Sequence, residues 1–234
     1  MIDFHSHILP RIDDGSKSSE MSVQMLEASY AYGVDTMVAT PHFYITHNTA
    51  ENFEKKRSES YEALKVRIAE YDKPLPDIIL GAEVYYFRGI SKYDFLDKLK
   101  IGNTNYLLLE MPFECWNERV LREVSEITEE TGLIPVIAHI DRYIDLQKGT
   151  DNIDRLVSMD IPIQMNADYI NGFFTRSKAI KLIKNGVVTL LGSDCHNMDS
   201  RRPNLGQALD ILTKKCGADT VDTITSESRK LLGL

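Results

Sequence analysis

Met1-Ile-Asp-Phe-His-Ser-His7 is an apolar, strand-like run that closes on two histidines in H-x-H spacing, with Asp13 and Asp14 shortly behind. The same plan recurs down the chain: a run that reads as a β-strand delivers a residue able to bind a metal. Thr36-Met-Val-Ala-Thr is followed by Pro41-His42, Ile78-Ile-Leu-Gly-Ala runs into Glu83, and Tyr106-Leu-Leu-Leu reaches Glu110. Ile134-Pro-Val-Ile-Ala reaches His139, and Val188-Thr-Leu-Leu-Gly-Ser delivers Asp194 and His196. Five of the six histidines belong to this series, so the series is unlike a random scatter.

Between these runs lie segments of helical period. Met21, Met25, Leu26 and Ser29 share one face before Gly33; Phe53, Arg57, Tyr61, Leu64 and Ile68 share another behind a Thr49 cap. Asn117 opens a helix carrying Val120, Leu121, Val124 and Ile127, and Gly132 ends it; 175–185 repeats the plan before Gly186. Residues 205–216 and 221–232 supply the last two helices, and Lys73-Pro-Leu-Pro-Asp77 reads as a rigid connection. Alternating strands and helices imply parallel strands with right-handed crossovers. An open doubly wound sheet would gather ligands near one switch point, whereas contributions from nearly every strand favour a closed ring. With Ile161-Pro-Ile-Gln-Met-Asn166 the strands number seven and no eighth is convincing. The expected architecture is therefore α/β: a distorted seven-stranded parallel (β/α)7 TIM-like barrel, one domain over residues 1–234.

With 234 residues, 43% of them hydrophobic, the chain can bury one sizeable core. No apolar run approaches the roughly 20 residues of a membrane helix, which argues against membrane insertion. Candidate ligands start at His5, leaving no room for a cleavable signal, and three scattered cysteines make no disulfide framework. A reducing cytoplasm is the expected setting. The formal charge of -8 argues against nucleic acid as a partner.

Histidines and carboxylates without a cysteine cluster suit manganese, zinc, iron or magnesium. Any one of these histidines alone reads as a satisfied core or surface residue; their joint placement reverses that reading. Glu83 and Glu110 end apolar runs, where an unpaired buried carboxylate is costly. A carboxylate such as Glu83 can bridge two cations about 3.5–4 Å apart, the arrangement that activates water for in-line phosphoryl displacement. Arg142, Arg201 and Arg202 follow ligand positions and are candidates for phosphate contact. His47 sits in a polar loop and reads as surface. Phe43, Tyr44, Tyr85, Tyr86 and Trp116 are either packing or an aromatic rim.

The segments Met1-Ile-Asp-Phe-His-Ser-His-Ile-Leu-Pro10, Asp13-Asp-Gly-Ser16, Ala39-Thr-Pro-His-Phe43, Gly81-Ala-Glu-Val84, Ala138-His-Ile-Asp-Arg-Tyr143 and Gly192-Ser-Asp-Cys-His-Asn197 resemble the polymerase and histidinol phosphatase (PHP) superfamily. More narrowly, the chain resembles the manganese-dependent protein-tyrosine phosphatases of bacterial capsule and exopolysaccharide operons. That resemblance implies three cations: one on His5, His7, Glu83 and Asp194, a second on Glu83, Glu110 and His139, a third on Asp14, His42 and His196. It selects Asp14 over Asp13, assigns phosphate binding to Arg142 and to Arg201 or Arg202, with Arg201 the better spaced, and implies a phosphorylated bacterial tyrosine kinase as partner. Oligomeric state is not legible.

Three rival readings stand beside it. One is a small-molecule phosphatase, such as a histidinol-phosphatase, on the same ligands; another is a non-enzymatic metal-binding regulatory module. The third is a cysteine-dependent phosphatase, because Cys195-His-Asn-Met-Asp-Ser-Arg201 spells C-x5-R. That loop has no glycine to ease backbone N–H groups toward phosphate, so the match reads as accidental.

Overall fold

A computed structural model describes residues 1–234. The elements run β1 (Ile2–Ser6), α1 (Ser19–Ala31), β2 (Thr36–Ala39), β3 (His42–Phe43), α2 (Ala50–Ala69), β4 (Asp77–Leu80), β5 (Glu83–Tyr85), β6 (Tyr106–Glu110), α3 (Glu118–Thr131) and β7 (Ile134–Ile137). After them come α4 (Asn152–Ser158), β8 (Gln164–Asn166), α5 (Ala167–Asn171), α6 (Arg176–Lys184), β9 (Leu190–Gly192), α7 (Leu205–Cys216) and α8 (Ala218–Leu232). Short 3-10 turns lie at Ile90–Lys92, Asp94–Leu99 and Ile140–Arg142.

The helix ends follow their local chemistry. Thr49 Oγ1 accepts from Asn52 N at 3.2 Å, and Asn117 Oδ1 accepts from Arg119 N at 3.0 Å, so each satisfies an otherwise orphaned donor of the first turn. Gly132 closes α3 at φ 72°, a left-handed conformation that costs glycine nothing. The short helices α4 and α5 and the 3-10 segments were not expected; at seven residues or fewer they are too short to establish a period, so even Ile153, Leu156 and Val157 of α4 make no sustained apolar repeat.

All strand pairs are parallel, in three sheets of order β1-β2-β4, β3-β5-β6-β7 and β8-β9. Seven expected strands thus appear as nine, because two are interrupted. Pro41, which lacks an N–H, separates β2 from β3, and Gly81 separates β4 from β5. A Cβ on Gly81 would stand 3.2 Å from Ile101 Cγ1, so the chain passes close to its neighbour where it breaks. The sheets meet through isolated parallel bridges at Ser6–Cys195 and Ile137–Ile163.

Two apolar clusters support this framework. The larger holds 43 buried residues and packs the helices onto the strands. The smaller gathers Ile2 and Phe4 of β1, Val38 of β2, Leu108 of β6, Val136 of β7 and Leu190 of β9. Side chains from all three sheets meet in this smaller cluster. Most of the candidate ligands lie at or just beyond the carboxyl ends of strands.

Candidate metal centre

A bulge in β1 creates the first half of the site. Ile2 and Asp3 pair with Thr36 and Met37, yet Ser6 pairs with Ala39, so β1 carries one extra residue against its partner. Such bulges re-aim side chains beside active sites. Phe4 lies in the inner cluster, and its neighbour His5 joins His7 in the site. Glu110 ends β6 as expected, and His139, Asp194 and His196 follow β7 and β9. His42 and Glu83 instead open β3 and β5, paired in register with each other, rather than ending longer strands.

The structure brings all nine expected ligands together. Seven are buried, His42 is 16% exposed and Asp14 is 64% exposed, so the cluster opens to solvent on the Asp14 side. Glu83 Oε2 stands 3.3 Å from Nε2 of both His5 and His7 and 2.9 Å from His42 Nδ1, while its Oε1 is 2.7 Å from His139 Nε2. Glu110 Oε1 is 3.4 Å from His139 Nε2, and Asp194 Oδ1 is 3.4 Å from His7 Nε2. Asp14 Oδ1 lies 3.5 Å from His42 Nε2 and 3.4 Å from His196 Nε2. Three sets have ligand atoms mutually within 4.8 Å: His7, Asp14, His42 and His196; His5, His7 and Glu83; His42, Glu83 and Glu110. His7 and His42 are each shared between two sets, a finer interleaving than the resemblance implied.

The donor set fits divalent cations on grounds internal to the chain. His7 Nδ1 lies 2.7 Å from Asp13 Oδ2, a carboxylate that can only accept, so the Nδ1 proton is donated there. His5 Nδ1 likewise faces Gln164 Oε1 at 3.3 Å. Both Nε2 atoms then present lone pairs, and they face each other at 3.1 Å with Glu83 beside them. Buried acceptors crowded this way are costly unless a cation or extra protons lie between them. Glu83 Oε2, Glu110 Oε2 and His196 Nε2 also lack any hydrogen-bond partner. The electrostatics agree: burial pushes Glu83 upward, but His5, His139 and His42 pull it well below the carboxylate range. Burial opposes protonation of His139, yet Glu110 and Glu83 raise it to about 9.

Of the residues in this support, Gln164 and Asn166 were not singled out from the sequence. Asp13 holds His7 and accepts from His42 N at 3.1 Å. Gln164 Oε1 accepts from His139 N at 2.6 Å, Gln164 Nε2 donates to Asn166 Oδ1 at 3.0 Å, and Asn166 Nδ2 donates to Asp194 Oδ2 at 2.9 Å. The signal for these two was present: Gln164 and Asn166 alternate as polar residues in a buried strand. His139 and Asp194 have φ of 30° and 53°, a conformation that costs a non-glycine residue about 1–3 kcal/mol and is held by its surroundings.

Arg142 reaches Asp194 Oδ2, and Arg201 Nη2 lies 2.7 Å from Asp194 Oδ1; both are one-third exposed. Arg202 is exposed and makes no ion pair. Cys195 is wholly buried in the larger core, where burial pushes its thiol up, unlike a nucleophile that needs a thiolate at neutral pH. Of the aromatic residues, Phe43 and Trp116 are core, and Tyr86 O–H donates to Glu123 Oε2 at 2.6 Å, so these three pack rather than line a rim. Tyr44 stands 5.4 Å from His42 and 5.5 Å from Tyr85. Phe113, not anticipated, is half-exposed and stacks at 20° over His139.

Fold and site together define an α/β protein with a buried cluster of histidines and carboxylates that could hold metal ions. Residues 1–232 match the family described as capsular polysaccharide synthesis, CpsB/CapC, and the chain belongs to that family. It is 33% identical to the tyrosine-protein phosphatase CpsB of Streptococcus pneumoniae over 93% of this chain and 92% of that protein. It is 29% identical to the tyrosine-protein phosphatase YwqE of Bacillus subtilis over 99% and 91%. Among solved structures it superposes with a TM-score of 0.86, at 26% identity and over 99% of this chain and 94% of the other, on the crystal structures of YwqE from Bacillus subtilis and CpsB from Streptococcus pneumoniae, described as unique metal-dependent tyrosine phosphatases.

Proposed function

We propose that this chain is a metal-dependent protein-tyrosine phosphatase whose substrate is the phosphorylated tail of a bacterial tyrosine kinase controlling capsule or exopolysaccharide synthesis. The observation that carries the reading is the pair of facing Nε2 atoms of His5 and His7 beside Glu83, which calls for a cation, in a chain belonging to the CpsB/CapC family. His5, His7, Asp14, His42, Glu83, Glu110, His139, Asp194 and His196 would be the ligands; this donor set suits manganese, zinc, iron or magnesium, and the resemblance to the manganese-dependent phosphatases selects manganese among them. When bound, the cations supply an activated water for in-line attack and neutralise phosphoryl charge.

The protein's own groups do the rest. Arg142 and Arg201, tethered to Asp194, turn their remaining N–H groups toward the phosphoryl oxygens and strengthen those contacts as charge redistributes. Arg202, exposed and unpaired, is left aside. A phenol of pKa about 10 leaves without a strong general acid, so the site needs none.

The three sheets form one distorted seven-stranded barrel, counting β2 with β3 and β4 with β5, and residues 1–234 form one domain around it. The bridges Ser6–Cys195 and Ile137–Ile163 and the shared inner cluster support this. No helix is long and apolar enough to cross a membrane. The three unpaired cysteines suit a cytoplasmic setting.

The test is to strip the protein with chelator and assay a phosphotyrosine peptide after restoring manganese, magnesium or zinc. Manganese should restore the most activity; turnover that survives complete metal removal would sink the proposal. In the same assay Arg142→Ala and Arg201→Ala should keep their metal and lose about tenfold to a hundredfold in turnover, as expected for a charge-assisted contact. If Arg202→Ala alone shows that loss, the assignment within the pair is wrong.

A further inference from the structure

Beside the metal centre lies a cavity of about 280 Å3 lined by Ile12, Asp13, Asp14, His42, Tyr44, His47 and Asn48. Its two ends differ in chemistry. At one end Asp14 and His42 share a ligand set with His7 and His196, and Asp13 is bound to His7. At the other, Tyr44 stands among rings, 5.4 Å from His42, 5.5 Å from Tyr85 and 5.4 Å from His47. Ile12 adds aliphatic surface to the lining. His47 is exposed, as a surface loop residue should be, but one side of it belongs to this wall.

The wall is already shaped. His47 N and Asn48 N donate to Tyr44 O at 2.9 and 3.1 Å, closing a tight turn, and Thr49 then caps α2. Asn48 Oδ1 accepts from Asn52 Nδ2 at 2.9 Å and from Lys56 Nζ at 3.2 Å. Little ordering is left for a ligand to impose, so contacts made here go into affinity. An apolar cavity of about 150 Å3 takes up a benzene ring, so the space is large enough for one phenyl group and its first substituents.

We propose that this cavity is the leaving-group subsite and sets specificity for aryl phosphates: the phosphoryl group sits at the Asp14–His42 end and the tyrosyl ring packs against Tyr44 and His47. The proposal rests on the metal reading above, because Asp13 and Asp14 without cations would repel a phosphoryl group. An alkyl phosphate reaches the same charged end but gains nothing from the ring wall. Offset or edge-on aromatic contacts of this kind change binding by about twofold to tenfold. Phe113, stacked over His139, offers the competing ring surface.

The test compares phenylphosphonate with methylphosphonate as inhibitors of the manganese-loaded enzyme acting on a phosphotyrosine peptide. Tyr44→Ala and His47→Ala should each weaken phenylphosphonate by about twofold to tenfold while methylphosphonate inhibition barely changes, and Tyr44→Phe should keep the wild-type ratio. An unchanged ratio in both alanine variants, equal weakening of both inhibitors at full metal content, or a ratio lost only in Phe113→Ala would overturn the assignment. Wild-type protein that binds no manganese would instead overturn the metal reading beneath it.

Discussion

Gln164 shows how one uncharged side chain can organise a charged site. Its Oε1 accepts from His139 N at 2.6 Å and faces His5 Nδ1 at 3.3 Å, while its Nε2 continues through Asn166 to Asp194. It therefore fixes the tautomer of His5, the left-handed backbone of His139 and, through Asn166, the carboxylate of Asp194. Partners of this kind typically account for about tenfold to a hundredfold in metal affinity. Gln164→Ala should weaken manganese binding by that factor in a competition titration, with the fold intact by circular dichroism. Unchanged affinity would reduce Gln164 to packing. Asp13 does comparable work for His7, so the Asp13–Asp14 doublet divides its labour: the Asp13 carboxylate, nearly buried, orients His7, and the exposed Asp14 points its carboxylate at His42 and His196.

The centre depends on how closely β1 and β9 approach. A Cβ on Gly192 would lie 2.6 Å from His5 Cβ and 2.9 Å from His5 N, contacts that only displacement of a strand can relieve. The Ser6–Cys195 bridge and the 2.8 Å bond from Asp194 N to His5 O join these strands just above that point. Gly192→Ala should therefore do two things at once: destabilise the fold by about 1–3 kcal/mol, as overpacking does, and move His5 relative to Asp194. Thermal unfolding and metal content of the purified variant check this. A destabilised protein that still binds its full complement of manganese would show that the strands yield elsewhere. Gly192 precedes Asp194 in a run that reads simply as an apolar strand, and nothing local in that run says that the neighbour across it is His5.

Across the whole molecule, the cluster behaves as a set of charges that must be balanced. Burial lowers the proton affinity of His7 and His139, but Asp13 reverses this for His7, holding it well above the usual histidine range, and Glu110 and Glu83 raise His139 to about 9. A histidine raised above its unfolded value of about 6.5 contributes stability that is complete below that pH and is lost as pH rises through the folded value. The chelated protein should thus lose thermal stability between about pH 6.5 and 9, the window given by His139. With manganese bound, positive charge no longer depends on protons, and stability over the same window should hold or rise. Parallel pH slopes with and without metal would contradict this account. Much of the site was legible in the chain because its signal is local: a carboxylate or histidine at the end of an apolar run is costly wherever the run folds, and eight such positions accumulate, while Asp14 was chosen through the family resemblance alone. The helix caps at Thr49 and Asn117 were legible for the same reason, since a cap needs only its own next residues. What the sequence by itself determined is therefore the alternation of elements, the parallel strands and most of the histidines and carboxylates that the fold gathers. Only tertiary structure decided the bulge in β1, the interruptions at Pro41 and Gly81, the burial of Trp116 and the bond from Gln164 to His139. Each of these depends on which distant backbone or side chain comes within a few ångströms, and a chain's local chemistry carries no record of that distance.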